Sequence, residues 1–277
     1  MKKVFVVFLL SLTAAALPAD DFADAQAYLN RGNAYREKKE YDKALAEYTQ
    51  ALKLNPAYAD AYYARGNTYG QKGDMDKAIG DFTQTIRLNP NHADAYSSRG
   101  LAYKNKGDLD KAIADYTQAI RLNPNDTYAY TNRGDAYNDK GEYDKALADC
   151  TQALRLDPND AQAYNNRGIA YHGKGELDKA IADYTQAIRL DPNLAQAYHN
   201  RSNAYNGRRE YDKAIADYTQ MIRLNPASAY AYYNRGFAYV MQGDNARART
   251  DWEKVLQINP GDASAQDMLE ILRKMGY

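Results

Sequence analysis

Pro56, Pro90, Pro124, Pro158, Pro192, Pro226 and Pro260 stand 34 residues apart without a slip, and the only other proline is Pro18. A fixed period of this length marks a repeat array, in which each unit is one supersecondary element that buries its apolar face only against its neighbours. Setting each proline at position 32 divides the chain into seven copies, 25–58, 59–92, 93–126, 127–160, 161–194, 195–228 and 229–262. Little chain is left for any other domain.

Inside each copy the constant residues fall at helical spacing. Position 4 is always Tyr (Tyr28 to Tyr232) and position 11 is always Tyr (Tyr35 to Tyr239). Position 8 is Gly in six copies and Ser202 in the other; position 20 is always Ala (Ala44 to Ala248). Position 24 is Tyr48, Phe82, Tyr116, Tyr184, Tyr218 or Trp252, with Cys150 in the fourth copy. Positions 4, 8 and 11 share one helix face, and 20, 24, 27 and 28 share another. Gly73, Gly107, Gly141, Gly175 and Gly243 suit a left-handed helix end. Asp42, Asp76, Asp110, Asp144, Asp178 and Asp212 are expected to cap the second helix, which ends before the proline. Each copy therefore reads as helix–turn–helix, with Gly and Ala allowing close approach and the tyrosines filling the space around them.

In the third copy the pattern is Tyr96, Gly100, Tyr103, Ala112, Tyr116, Ala119 and Pro124, which resembles the tetratricopeptide repeat (TPR). The resemblance covers 25–262 and implies an all-α, right-handed TPR superhelix, an α-solenoid whose first helices line a concave groove. One departure is systematic. Arg31, Arg65, Arg99, Arg133, Arg167, Arg201 and Arg235 stand at position 7, where the family usually has Leu. An acid stands at position 23 of every copy, from Glu47 to Asp251, and an Arg–carboxylate pair between the two helices is expected.

Met1, Lys2 and Lys3 followed by an apolar run Val4–Leu10 have the form of a secretory signal, 1–19, with cleavage expected after Ala19 or Ala16. Export to the periplasm or outside the cell follows, with the membrane met only in transit. Residues 20–24 form a short lead-in, leaving the first helix as a lightly covered edge. At the other end, 263–277 is expected to be a capping helix, with Ala265, Met268, Leu269, Leu272 and Met275 on its inner face.

Lys plus Arg and Asp plus Glu number 36 each, so the chain has no electrostatic footprint for nucleic acid. Cys150 stands alone at a core position and reads as a small buried hydrophobe. His92, His172 and His199 have no companions at metal-ligand spacing, and there is no phosphate loop and no nucleophile–base set. No metal, no small-molecule cofactor and no catalysis are expected.

The copies can be compared with one another. Leu109–Leu122 and Leu177–Leu190 are identical, and the Thr–Gln pair read as outward on the second helix recurs in six copies. Groove positions differ: position 9, for example, reads Asn33, Asn67, Leu101, Asp135, Ile169, Asn203 and Phe237. Variation concentrated on one face points to a surface shaped for a ligand. Position 6 is the exception, with Asn30, Asn132, Asn166, Asn200 and Asn234 in a row broken by Ala64 and Ser98. An amide both donates and accepts, so such a row could grip a peptide backbone, and it resembles the asparagine ladders of peptide-gripping TPR superhelices. The other reading is that these amides bridge between helices. Tyr63, Tyr128, Tyr230 and Tyr233, outside the core pattern, are candidate anchors beside Asn33, Asn67 and Asn203. Leu29, Asp60 and Asp94 stand where a clamp for acidic peptide tails would need basic groups. The expected function is a non-catalytic protein-interaction scaffold of the cell envelope that binds a peptide or protein segment. The alternative is a structural homo-oligomer that associates through its N-terminal edge.

Overall fold

The computed structural model describes the backbone of residues 19–277 and the side chains of 23–277. Apart from Ala19, the expected signal segment lies outside the described residues. These residues form fifteen α-helices and no strand. They are α1 (Ala19–Glu37), α2 (Tyr41–Leu54), α3 (Ala59–Gln71), α4 (Met75–Leu88), α5 (Ala93–Asn105), α6 (Leu109–Leu122), α7 (Thr127–Asp139) and α8 (Tyr143–Leu156). After these come α9 (Ala161–Gly173), α10 (Leu177–Leu190), α11 (Ala195–Gly207), α12 (Tyr211–Leu224), α13 (Ala229–Met241), α14 (Asn245–Ile258) and α15 (Ala263–Lys274). Residues 20–24 are not a separate lead-in but the opening turns of α1. Two compact units divide the chain, Met1–Lys106 and Gly107–Tyr277. Within each, consecutive helices pack on one another, and first helices also touch first helices: α1 with α3 and α3 with α5, then α7 with α9 and α9 with α11.

Local chemistry sets the helix ends. The glycines after the first helices adopt positive φ, from 72° at Gly141 to 85° at Gly73, and Lys39 and Arg209 take the same conformation where Gly is missing. Position 18 does not cap the second helices. The caps fall two residues earlier, at Glu40, Asp74, Asp108, Glu142, Glu176, Glu210 and Asp244. Asp74, Asp108 and Asp244 accept from the backbone N–H three residues on. Position 18 instead reaches the next repeat: Asp42 pairs with Lys72, Asp76 with Lys106, Asp110 with Lys140, Asp144 with Lys174 and Asp178 with Arg208. Past the second helix, Asn55, Asn89, Asn123, Asp157, Asp191 and Asn225 accept from the N–H two residues on, which shapes the turn around each proline.

The packing is Gly against ring. A Cβ built on Gly168 would lie 2.6 Å from the Tyr184 ring, and one on Gly32 would lie 2.5 Å from the Tyr48 ring. The position-20 alanines are wholly buried, as are Tyr48, Tyr116, Tyr184, Tyr218 and Trp252. Cys150 is buried in the same slot, its thiol pushed up by burial, and Gly134 abuts its Sγ.

Arginine at position 7 is held on several sides. Arg31 pairs with Glu47 at 2.8 Å. Arg65, Arg133, Arg167, Arg201 and Arg235 make two-pronged bonds of 2.7–2.9 Å to Asp81, Asp149, Asp183, Asp217 and Asp251. Several also reach back one repeat to a threonine hydroxyl: Arg65 to Thr49, Arg99 to Thr83, Arg133 to Thr117, Arg201 to Thr185 and Arg235 to Thr219. The recurrent threonine is therefore an inter-repeat acceptor, and its own hydroxyl donates to a carbonyl one turn back. The guanidinium also lies over the position-4 and position-11 tyrosines, as Arg201 does over Tyr198 and Tyr205 at 5.9 and 5.7 Å. Arginine thus fills leucine's place with its stem and stacking face and delivers its charge to a buried acid.

The position-24 phenols are not equivalent. The Tyr116 and Tyr184 hydroxyls are buried without a hydrogen-bond partner. The Tyr218 hydroxyl accepts from Asn206 at 2.8 Å, and burial pushes its pKa up to about 12. Tyr184→Phe is therefore expected to leave stability unchanged or raise it by up to ~1 kcal/mol, whereas Tyr218→Phe costs ~1 kcal/mol or more, as read by denaturant melts.

The C-terminal end differs in part from the sequence-based expectation. On α1, Ala25 and Leu29 are buried, and no large apolar side chain is exposed among its described residues. On α15, Ala265 and Leu272 are buried and Met268 and Leu269 pack against the last core cluster, but Met275 is exposed, as is Ile271. The expected inner face of the cap thus ends at Leu272, and Met275 lies outside it.

Candidate inner-face binding surface

The odd-numbered helices carry the positions that vary between copies. In the second unit, amides on three neighbouring helices bond to one another. Asn200 on α11 donates to Asn165 on α9 at 2.9 Å. Asn165 donates to Asn166 at 3.4 Å, and Asn166 donates to the Thr131 carbonyl on α7 at 3.3 Å. The Asn138 amide donates to the Asn166 carbonyl at 2.8 Å. Asn166, a candidate for gripping a ligand, is only 1% exposed and bridges repeats instead. Its partners come from α7 as well as α9, which a position number does not reveal.

The residue at position 2 decides what the position-6 asparagine offers. With Gln there, the Gln amide donates to the Asn Oδ1: Gln26 to Asn30 at 3.1 Å, Gln162 to Asn166 at 2.9 Å and Gln196 to Asn200 at 3.4 Å. With Tyr there, the Asn amide turns back one turn instead: Asn132 donates to the Tyr128 carbonyl at 2.8 Å and Asn234 to the Tyr230 carbonyl at 2.9 Å. Both tyrosines are exposed, Tyr128 by 48% and Tyr230 by 43%.

The remaining candidates scatter. Tyr63 is half-buried, its ring 4.7 Å from His92 and 5.9 Å from Phe82. Asn33 accepts from the buried Tyr48 hydroxyl at 2.9 Å. Asn67 is half-buried on α3. Tyr233 is half-buried 6.3 Å from Trp252, and its carbonyl accepts from the indole N–H. Asn203 accepts from Tyr230 at 3.3 Å and stands 3.1 Å from His199 Nε2. The His199 ring is 4.7 Å from the Tyr230 ring, and burial lowers its pKa, which keeps it neutral at neutral pH. Phe237 and Met241, 43% and 47% exposed, lie beside this group and outside the candidate set. The stripe Tyr230, Asn234, Phe237, Met241 at i, i+4, i+7 and i+11 is the sequence signal for them.

Charge is sparse on α11 and α13. The only formally charged side chains on α11 and α13 are Arg201 and Arg235, each held by its aspartate. Among the described residues, no three His, Cys, Asp or Glu gather where they could hold a metal ion. No described helix is long and apolar enough to cross a membrane.

Family models place the chain among known proteins. The tetratricopeptide repeat matches at 59–92, 93–126, 161–194, 115–148, 183–216 and 201–273, and the TPR repeat at 32–73 and 134–175. No curated protein sequence matches. A tetratricopeptide repeat protein from Parabacteroides merdae has a TM-score of 0.70 at 19% identity, over 90% of this chain and 98% of its own. The APC/C hetero-tetramer Cut9-Hcn1 matches with a TM-score of 0.73 at 22% identity; 88% of this chain is covered, but the match spans only 48% of that one. YrrB, described as a TPR protein with an unusual peptide-binding site, is 30% identical with a TM-score of 0.55, over 65% of this chain and 92% of its own. Such repeats generally mediate protein or peptide interactions, and their proteins are typically non-catalytic scaffolds. The helix pairs, the Gly-against-ring packing and these matches along the chain agree: this protein is an all-α solenoid of the tetratricopeptide repeat family.

Proposed function

We propose that this protein is a non-catalytic scaffold of the cell envelope that holds an extended peptide or protein segment along the inner face of its first helices. The observation that carries this reading is a division of labour within each repeat. The position-7, position-18 and position-23 side chains are committed to repeated ion pairs, whereas inner-face side chains such as Tyr128, Tyr230, Phe237 and Met241 vary between copies and stay exposed. Aromatic groups on a rigid helical surface bind with little loss of entropy. The peptide-binding site named for YrrB, at 30% identity, supports the same use of the fold. Export rests on the Met1–Leu17 pattern of charge followed by apolar residues.

The test is a pull-down from envelope extract with the protein and with an Asn132→Ala/Asn234→Ala variant, leaving in place Asn166 and Asn200, which bond to other amides of the protein. The variant is expected to keep its helical circular dichroism and lose the partner by about tenfold or more, two hydrogen bonds being worth ~1 kcal/mol each in an interface. Equal recovery by the two proteins would move the contact off the inner face.

A further inference from the structure

The seventh repeat is unlike the others on its inner face. Tyr230, Asn234, Phe237 and Met241 form one stripe along α13, and the three apolar members are 43–47% exposed. Asn234 is held by its bond to the Tyr230 carbonyl, and among the described residues no group donates to its Oδ1, so an oriented acceptor stays available on the Tyr230 face of α13. Tyr230 is itself fixed, its hydroxyl on Asn203 and its ring against His199. Where Gln stands at position 2, the equivalent acceptor is already taken.

The charge pattern says what can lie here. Neither α11 nor α13 offers an unpaired ion, because Arg201 and Arg235 are both held by aspartates. A charged ligand side chain pressed onto this stripe would lose its water and find no free counter-charge on α11 or α13. An uncharged apolar one gains by burial, and a backbone N–H beside it meets an acceptor that is already oriented.

We propose that the α13 stripe is the specificity station of the groove. It takes an uncharged stretch of an extended partner chain, with one aromatic or branched aliphatic side chain against Phe237 and Met241 and a backbone N–H donated to Asn234 Oδ1. This rests on the peptide-binding reading above and names the ligand class for it. Burial of His199 keeps the surroundings neutral, in agreement with an uncharged occupant.

The experiment selects a phage-displayed random-peptide library on the protein and measures resynthesised winners by fluorescence anisotropy against wild type and Phe237→Ser/Met241→Ser. Both substituted side chains are exposed, so the fold is retained, and a thermal melt checks this. The expected winners carry an aromatic or branched aliphatic residue in an uncharged setting and bind the double variant about tenfold or more weakly. Asn234→Ala weakens them about fivefold. Winners that bind the double variant as well as wild type, or that are selected for charge, overturn the station while leaving the groove reading intact. A library that yields no specific winner on the wild-type protein overturns both.

Discussion

Arg201→Ala is expected to destabilise the protein by ~3–5 kcal/mol, because it leaves the Asp217 carboxylate buried without its partner. Asp217 is 3% exposed, and both of its oxygens are bonded by the Arg201 fork, at 2.7 and 2.9 Å. The same arginine donates to Thr185 of the preceding repeat at 2.9 Å, so one substitution weakens both the hairpin and its junction. Burial already pushes the Asp217 carboxyl above its ordinary range, and Arg201 pulls it back only in part. Without Arg201 it rises further. A carboxyl raised in the folded state costs stability at pH above its folded-state value, and that cost vanishes once the pH falls below its unfolded value of about 3.9. The deficit of Arg201→Ala is therefore largest near neutral pH and shrinks as the pH is lowered toward 4. Replacing both partners, as in Arg201→Met/Asp217→Leu, restores most of the loss, since no buried charge is stranded. Urea melts of the three proteins at pH 7 and pH 4.5 check the sign. A deficit that grows on acidification would contradict the pairing.

A second large effect is expected where glycine meets a ring. Tyr184→Ala empties a wholly buried slot and costs ~3–5 kcal/mol. Its neighbour behaves against helix propensity. Gly168→Ala in the middle of an exposed helix would gain ~1 kcal/mol, but here the new methyl would stand 2.6 Å from the Tyr184 ring. The ring is confined and cannot swing away, so the substitution is expected to cost ~1–3 kcal/mol instead. In the Tyr184→Ala background the clash is gone and Gly168→Ala becomes favourable. A double-mutant cycle reads this reversal directly, and additive effects would mean that the two positions do not touch.

Much of this was legible in the residues. The repeat, the helix pairs and the residues of the Arg–carboxylate link recur in every copy of the sequence, so internal comparison exposes them as alignment would. The caps were misplaced because acids stand at both positions 16 and 18, and only the structure shows that Asp42 and its equivalents face the next repeat. The threonine acceptor was hidden for a related reason: its donor, Arg65 for Thr49, comes from another copy. The inner face was the least legible part. Position numbers put Asn132, Asn166, Asn200 and Asn234 in one row, yet Asn166 is buried among amides while Asn132 and Asn234 turn back to tyrosine carbonyls. What separates them is the Gln or Tyr four residues earlier, a distinction visible in the sequence but without meaning until the hydrogen bonds are seen. Phe237 and Met241 share a helical stripe with Tyr230, a spacing that carries no mark of function until their exposure is seen.

On this reading the inner face, not the outer one, meets the partner. Site-specific photocrosslinking in the native host tests it most directly, with benzoylphenylalanine placed singly at Tyr128 and Phe237 on the first helices and at Gln118 and Gln186 on the second. Partner adducts are expected from Tyr128 and Phe237 and none from Gln118 or Gln186. Adducts confined to Gln118 and Gln186 would contradict it.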